Sequence, residues 1–234
     1  MKDPSGPAPD TDLAAFARQV YARLLDYYGE PTWRMALSAL DELVSTILSQ
    51  NTNDRNRDQA YESLRAQYPT WELVRDAEPR QVVAAIRSAG LANQKGPRIQ
   101  AVLRQITAER GALELDFLRQ LPSDQARAWL LRFNGVGPKT AAIVLQFSLG
   151  KPAFPVDTHI YRVSGRLGLR PAGMNVEQAH LHLAALFMPE TYGTAHLNLI
   201  RLGREMCQAR RPNCPACPLK DICAYYVNIG NCSS

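Results

Sequence analysis

No stretch of the 234-residue sequence reaches the roughly 18 consecutive apolar residues that a membrane-spanning helix needs, although 46% of the chain is apolar. No membrane partner is therefore expected. Also missing is any apolar/polar alternation long enough to make a strand. The opening residues, Met1 to Asp10 (MKDPSGPAPD), lack the basic-then-apolar layout of a secretory signal. Their Pro and Gly content predicts a flexible tail. The expected location is the cytoplasm, on the nucleoid if the cell is prokaryotic. No internal repeat and no further low-complexity segment interrupts the chain.

What is present is helical periodicity. Leu13, Phe16, Val20 and Leu24 form one stripe, and Leu40, Leu43, Val44, Ile47 and Leu48 form another. A third runs through Ala126, Trp129, Leu130 and Phe133. Breaks are expected at Pro69-Thr70, Glu78-Pro79, Gly90, Gly96, Pro122-Ser123, Pro155 and Pro171-Ala172-Gly173. The reading is an all-α fold of roughly ten short helices. Net charge is +5 with a pI near 9.0, which admits a polyanionic partner without requiring one.

The segment from Ser123 to Gly150, SDQARAWLLRFNGVGPKTAAIVLQFSLG, carries the most information. Ser123 suits the N-cap of an amphipathic helix ending near Phe133. Asn134-Gly135-Val136-Gly137 then reads as a tight turn in which both glycines are free to take positive φ. Pro138 fits the first position of a following helix, apolar through Leu149 and expected to be buried. A glycine turn feeding a helix start leaves backbone amides for a phosphate. A plain helical hairpin would share that pattern.

Lys139 lies in the first turn of that second helix, where the helix dipole disfavours a cation. Partial burial would lower its pKa further, and a neutral amine is a nucleophile able to form a Schiff base. Eighteen residues on, Asp157 opens a helix with Ile160, Val163 and Leu167 on one face. It suits an N-cap. It equally suits a carboxylate that stabilises positive charge on a reacting sugar or assists proton transfer.

Of the five cysteines, four follow the spacing C-x6-C-x2-C-x5-C: Cys207, Cys214, Cys217 and Cys223. In a reducing compartment such a group indicates a metal or cluster site rather than disulfides. Four thiolates hold either a tetrahedral zinc ion or a [4Fe–4S] cluster, and the spacing alone leaves both open. Cys232 falls outside the pattern and is read as a free thiol. Pinning both ends of the short loop after Cys207 would present Arg210 and Arg211 at low entropic cost.

Taken together, GVGPKTA followed by PVDTHIYRV resembles the endonuclease III branch of the helix-hairpin-helix DNA glycosylases. The resemblance runs from about Asp41 to Cys223 and includes His196-Leu197-Asn198-Leu199-Ile200 with Gly203. It implies two helical lobes with a DNA cleft between them. Residues 31–151 would form a helical barrel ending in the hairpin. Residues 11–30 plus 152–234 would form the cluster lobe, and residues 1–10 a tail. Lys139 would come from one lobe and Asp157 from the other.

The resemblance also implies a [4Fe–4S] cluster on the four cysteines, serving structure and DNA binding rather than the chemical step. Gly135, Val136, Gly137, Arg210 and Arg211 would contact phosphates. Asn51 matches the residue that fills the space left by an extruded base, with Gln50 beside it as a competing register. Leu91 matches the apolar wedge on the opposite strand, and Lys95 a phosphate contact. The implied partner is damaged double-stranded DNA, bound by a monomer. The implied activity is removal of oxidised pyrimidines followed by β-elimination at the abasic site.

The sequence departs from the family at Leu131, where an acidic residue lines the base pocket, and at Phe133-Asn134, which replaces Leu-Pro. The preferred base is thus left open. Two other readings stand beside this one. A monofunctional glycosylase would use water as nucleophile, and Lys139 speaks against it. A non-catalytic DNA-binding module would carry structural zinc.

Overall fold

A computed structural model describes residues 11–32 and 37–231; the tail at 1–10 and Cys232 lie outside them. Twelve α-helices and no strand are found among the described residues. They are α1 (Thr11–Tyr28), α2 (Ala39–Ser49), α3 (Asp54–Gln67), α4 (Trp71–Asp76), α5 (Pro79–Ala85), α6 (Ala92–Arg110), α7 (Ser123–Leu131) and α8 (Pro138–Ile143). After them come α9 (Thr158–Leu167), α10 (Val176–Leu186), α11 (Tyr192–Glu205) and α12 (Ala224–Asn231). The all-α class holds, with more and shorter helices than periodicity alone resolves. No helix among the described residues is long and apolar enough to cross a membrane.

The helices fall into two compact units. One joins residues 11–32 to residues 152–231, and the other comprises residues 37–151. The second is built around α2, whose stripe of Leu40, Leu43, Val44, Ile47 and Leu48 is buried throughout. Each such side chain contributes roughly 1.5–3 kcal/mol by leaving water. In the first unit, Val20 and Leu24 of α1 pack with Ile160, Val163, Leu183, Leu199 and Leu202.

Three local expectations change. Gly96 is not a break but lies inside α6, where any Cβ would meet Val83 Cγ2 at 2.9 Å. Its role is close approach of α5 to α6. Ser123 is the first helical residue rather than the cap; Pro122 holds the cap position with extended backbone and no side-chain bond. The helix after the glycine turn is regular only to Ile143 and continues as a π turn, Val144–Ser148. Its burial is as expected at Thr140 to Leu145 and at Leu149.

Candidate functional site

The unit of residues 37–151 presents the glycine turn. Gly135 takes φ 83, while Gly137 takes φ −93 and forms the extended cap of α8. Only the first glycine is therefore needed for positive φ. A Cβ at Gly135 would overlap the Arg98 side chain, so the position is constrained twice. Among the described residues, neither the Gly135 nor the Gly137 N–H donates to a protein acceptor. Val136 is buried and closes the turn by donating to the Phe133 carbonyl at 3.0 Å. Two amides without a protein acceptor beside a helix start are what an anion needs.

Lys139 follows in the first turn of α8 and is exposed. The expected partial burial does not hold, because the buried face of this helix begins at Thr140. The amine is open to a substrate approaching from solvent. Pro138 opens the helix at N1, where no N–H is required.

Two more segments of the same unit stand out by backbone conformation. Asn51 (φ 53) and Leu91 (φ 50) are the positive-φ residues other than glycine among the described ones. Both are exposed, Leu91 to 47%, and holding such a residue in that region costs of order 1–3 kcal/mol. Gln50, by contrast, turns inward: its Nε2 donates to the Gly135 carbonyl at 2.9 Å and its Oε1 accepts from Arg98 at 2.9 Å.

Lys95 corrects an expectation. It is not a surface phosphate contact but 1% exposed, donating to the carbonyls of Leu48 (2.7 Å) and Ala89 (2.8 Å). Lys95 belongs to α6 rather than to the loop before it, and its side chain turns inward to those two carbonyls. Burial, with the Arg98 charge as a lesser cause, lowers the ammonium to about 8.

In the other unit, Asp157 is buried and caps α9: its Oδ1 accepts from the Ile160 N–H at 2.8 Å. Among the described residues no hydrogen bond is made to Oδ2. One carboxylate oxygen thus holds the helix, and the other is bonded to no described residue. The approach to Asp157 is pinned by two histidines that sequence reasoning did not assign. His196 Nδ1 donates to the Pro155 carbonyl at 2.9 Å. His180 Nδ1 lies 3.2 Å from the Val156 N–H and 3.1 Å from the Phe154 carbonyl. Buried histidines facing backbone groups leave no periodic trace that would distinguish them from core.

Cys207, Cys214, Cys217 and Cys223 line one partly open pocket within this unit. Among the described residues no three His, Cys, Asp or Glu side chains form a group that could hold a single metal ion. The thiols border a shared space instead of converging on a point. Burial pushes the Cys214 and Cys217 thiols up, and the other cysteines push the same way. Thiolates there need compensating positive charge. Arg166 supplies part of it: its guanidinium donates to Cys207 Sγ at 3.4 Å and stacks on Tyr225. It also donates to the carbonyls of Gln208 (2.7 Å) and Ala209 (2.9 Å), fixing the loop that exposes Arg210 and Arg211.

Comparison with known proteins agrees with this arrangement. Residues 44–188 match the family described as HhH-GPD superfamily base excision DNA repair protein. Endonuclease III of Thermotoga maritima is 34% identical over 188 residues, which cover 80% of this chain and 84% of the relative. An Arabidopsis thaliana protein named for DNA glycosylase activity is 41% identical over 146 residues, 62% of this chain. The match spans about half of that plant relative, 50%. A structure of a trapped endonuclease III–DNA covalent intermediate superimposes with a TM-score of 0.80 at 27% identity, covering 93% of this chain and 98% of the other. The chain belongs to the endonuclease III family, within the HhH-GPD superfamily of base excision DNA repair proteins.

Proposed function

We propose that the chain is a bifunctional DNA glycosylase/AP lyase that removes oxidised pyrimidines from duplex DNA. The observation that carries this reading is Lys139, exposed in the first turn of the helix that follows the glycine turn. A monofunctional enzyme has no use for an amine there.

The glycine turn would hold the DNA backbone through the Gly135 and Gly137 amides, independently of sequence. Leu91 would enter as a wedge and Asn51 would fill the space of the extruded nucleotide. The inward-facing amide of Gln50 supports Asn51 as the filling residue. The Lys139 amine, once deprotonated, attacks C1′ as the bond to the base breaks and the base leaves with a proton. Asp157 Oδ2 offsets the positive charge that develops on the sugar. Sugar ring opening gives a Schiff base between Lys139 and C1′. Loss of a C2′ proton then expels the 3′ phosphate by β-elimination, and hydrolysis frees the lysine.

The four cysteines, which line one pocket, suit the thiolate ligand set of a [4Fe–4S] cluster, and the relationship to endonuclease III favours the cluster over a zinc ion. Such a cluster would tie the segment from Cys207 to Cys223 together, and Arg210 and Arg211 would meet phosphates from the loop it anchors. No step of the reaction passes through it.

The decisive experiment incubates the protein with duplexes bearing thymine glycol, dihydrouracil, uracil or an abasic site, with and without borohydride. A trapped covalent adduct is expected on the oxidised pyrimidines and the abasic site, and none with Lys139→Ala. A base released without any trapped adduct would make the protein a monofunctional glycosylase.

A further inference from the structure

Helix α6 sends two basic side chains, Lys95 and Arg98, from one face a turn apart. Neither acts on solvent alone. The two carbonyls that Lys95 holds belong to helix ends: Leu48 lies in the last turn of α2, and Ala89 closes the 3₁₀ turn Arg87–Ala89. Such carbonyls lack intrahelical donors. A cation between them also meets the negative ends of both dipoles. Three residues beyond Leu48 stands Asn51, and two beyond Ala89 stands Leu91. The single ammonium therefore fixes the backbone just ahead of both strained, exposed residues.

Arg98 extends the same framework. It donates to Gln50, the neighbour of Asn51, and covers Gly135, whose carbonyl Gln50 also holds. An apolar side chain would fill the Lys95 space without the cost of desolvating a charge. The contribution of the ammonium is therefore directional, since it dictates where two carbonyls point. Strained backbone persists only where its surroundings over-determine it.

We propose that Lys95 and Arg98 are positioning residues that hold Asn51 and Leu91 in register with the glycine turn. The residues that enter the DNA and the turn that grips its phosphate then act as one unit. This inference rests on the reading of Asn51 and Leu91 as gap filler and wedge.

The test uses a duplex with a tetrahydrofuran abasic-site analogue opposite 2-aminopurine, whose emission rises when it is unstacked. Binding of the unaltered protein should raise the emission, and Leu91→Ala and Asn51→Ala should reduce that rise. Lys95→Met should reduce it by about threefold or more and Arg98→Met by about twofold, with affinity for an undamaged duplex held within about twofold. A full rise with both folded positioning variants overturns the proposal, as does an equal loss of affinity for undamaged DNA. If Lys95→Met does not fold, the half-buried Arg98→Met decides the matter. If Leu91→Ala and Asn51→Ala leave the rise intact, their assignment fails and the proposal falls with it. If only the positioning variants are silent, the proposal alone falls.

Discussion

Gln50 Nε2 donates to the Gly135 carbonyl at 2.9 Å, joining the end of α2 to a glycine turn 85 residues further along the chain. The bond fixes the turn from its carbonyl side and leaves the Gly135 and Gly137 amides without a protein acceptor among the described residues. Gly135 is therefore the position at which a single methyl group should do most harm to DNA binding. In Gly135→Ala, the left-handed backbone costs roughly 1–2 kcal/mol, and the Cβ must displace Arg98. Titration against an abasic-analogue duplex should show affinity falling by about tenfold or more. Adduct formation at saturating protein should persist, because Lys139 is untouched. Unchanged affinity would mean that the turn does not contact the backbone.

Asp157 caps α9, and substitution can separate that cap from the charge-stabilising role proposed for the residue. Asparagine caps a helix as well as aspartate does, so Asp157→Asn should keep the bond to the Ile160 N–H. Its unfolding midpoint should stay near that of the unaltered protein, while base release slows by about 10²-fold or more, the scale of removing one electrostatic group from a reacting centre. Asp157→Ala should lose both, with about 1 kcal/mol of stability gone through the missing cap. Equal rates for Asp157→Asn and the unaltered protein would reduce Asp157 to its capping role.

The contrast between Asp157 and Lys95 shows what a sequence discloses. Asp157 is legible because capping is local: the residue and the N–H that donates to it lie within four positions. The α2 stripe is legible for the same reason, since a helix repeats on a period a reader can count. Lys95 is misread because its partners lie 47 and 6 residues away, and a lysine after a glycine-containing loop is usually solvated. The neighbouring Gly96 adds to the misreading, since a pattern reader takes for a break a glycine that lies inside α6. The histidines behind Asp157 are hidden likewise, by partners 24 to 41 residues distant. The cysteine spacing suggests a ligand set, but it leaves the choice between ion and cluster open.

Arg210 and Arg211 are exposed on the loop that Arg166 anchors. If both meet phosphates, replacing both with alanine should weaken binding to damaged and undamaged duplexes alike. The slope of log affinity against log salt should fall by about 2, near 0.9 for each phosphate no longer neutralised. Visible absorption near about 410 nm, the mark of an iron–sulfur cluster, should be unaffected, whereas Cys217→Ser should diminish it. A salt slope equal to that of the unaltered protein would show that the loop stays clear of DNA.

Lys95 also gives the protein a distinct response to alkali. Its ammonium titrates at about 8 in the folded chain and near 10.4 in an unfolded one. Well below pH 8 both states hold the proton, and Lys95 contributes no slope. Between the two values the unfolded chain binds a proton that the folded chain has released, so stability rises with pH. The neutral amine keeps two N–H donors, enough for the Leu48 and Ala89 carbonyls. Lys95→Met removes this titration and leaves those of the tyrosines in place, so the difference between the two proteins isolates it. Measured by urea unfolding, that difference should grow in favour of the unaltered protein by about 1.5 kcal/mol between about pH 8 and pH 9.5. A difference that is flat across this range would mean that the ammonium is solvated, and the buried strut beneath Asn51 and Leu91 would lose its physical basis.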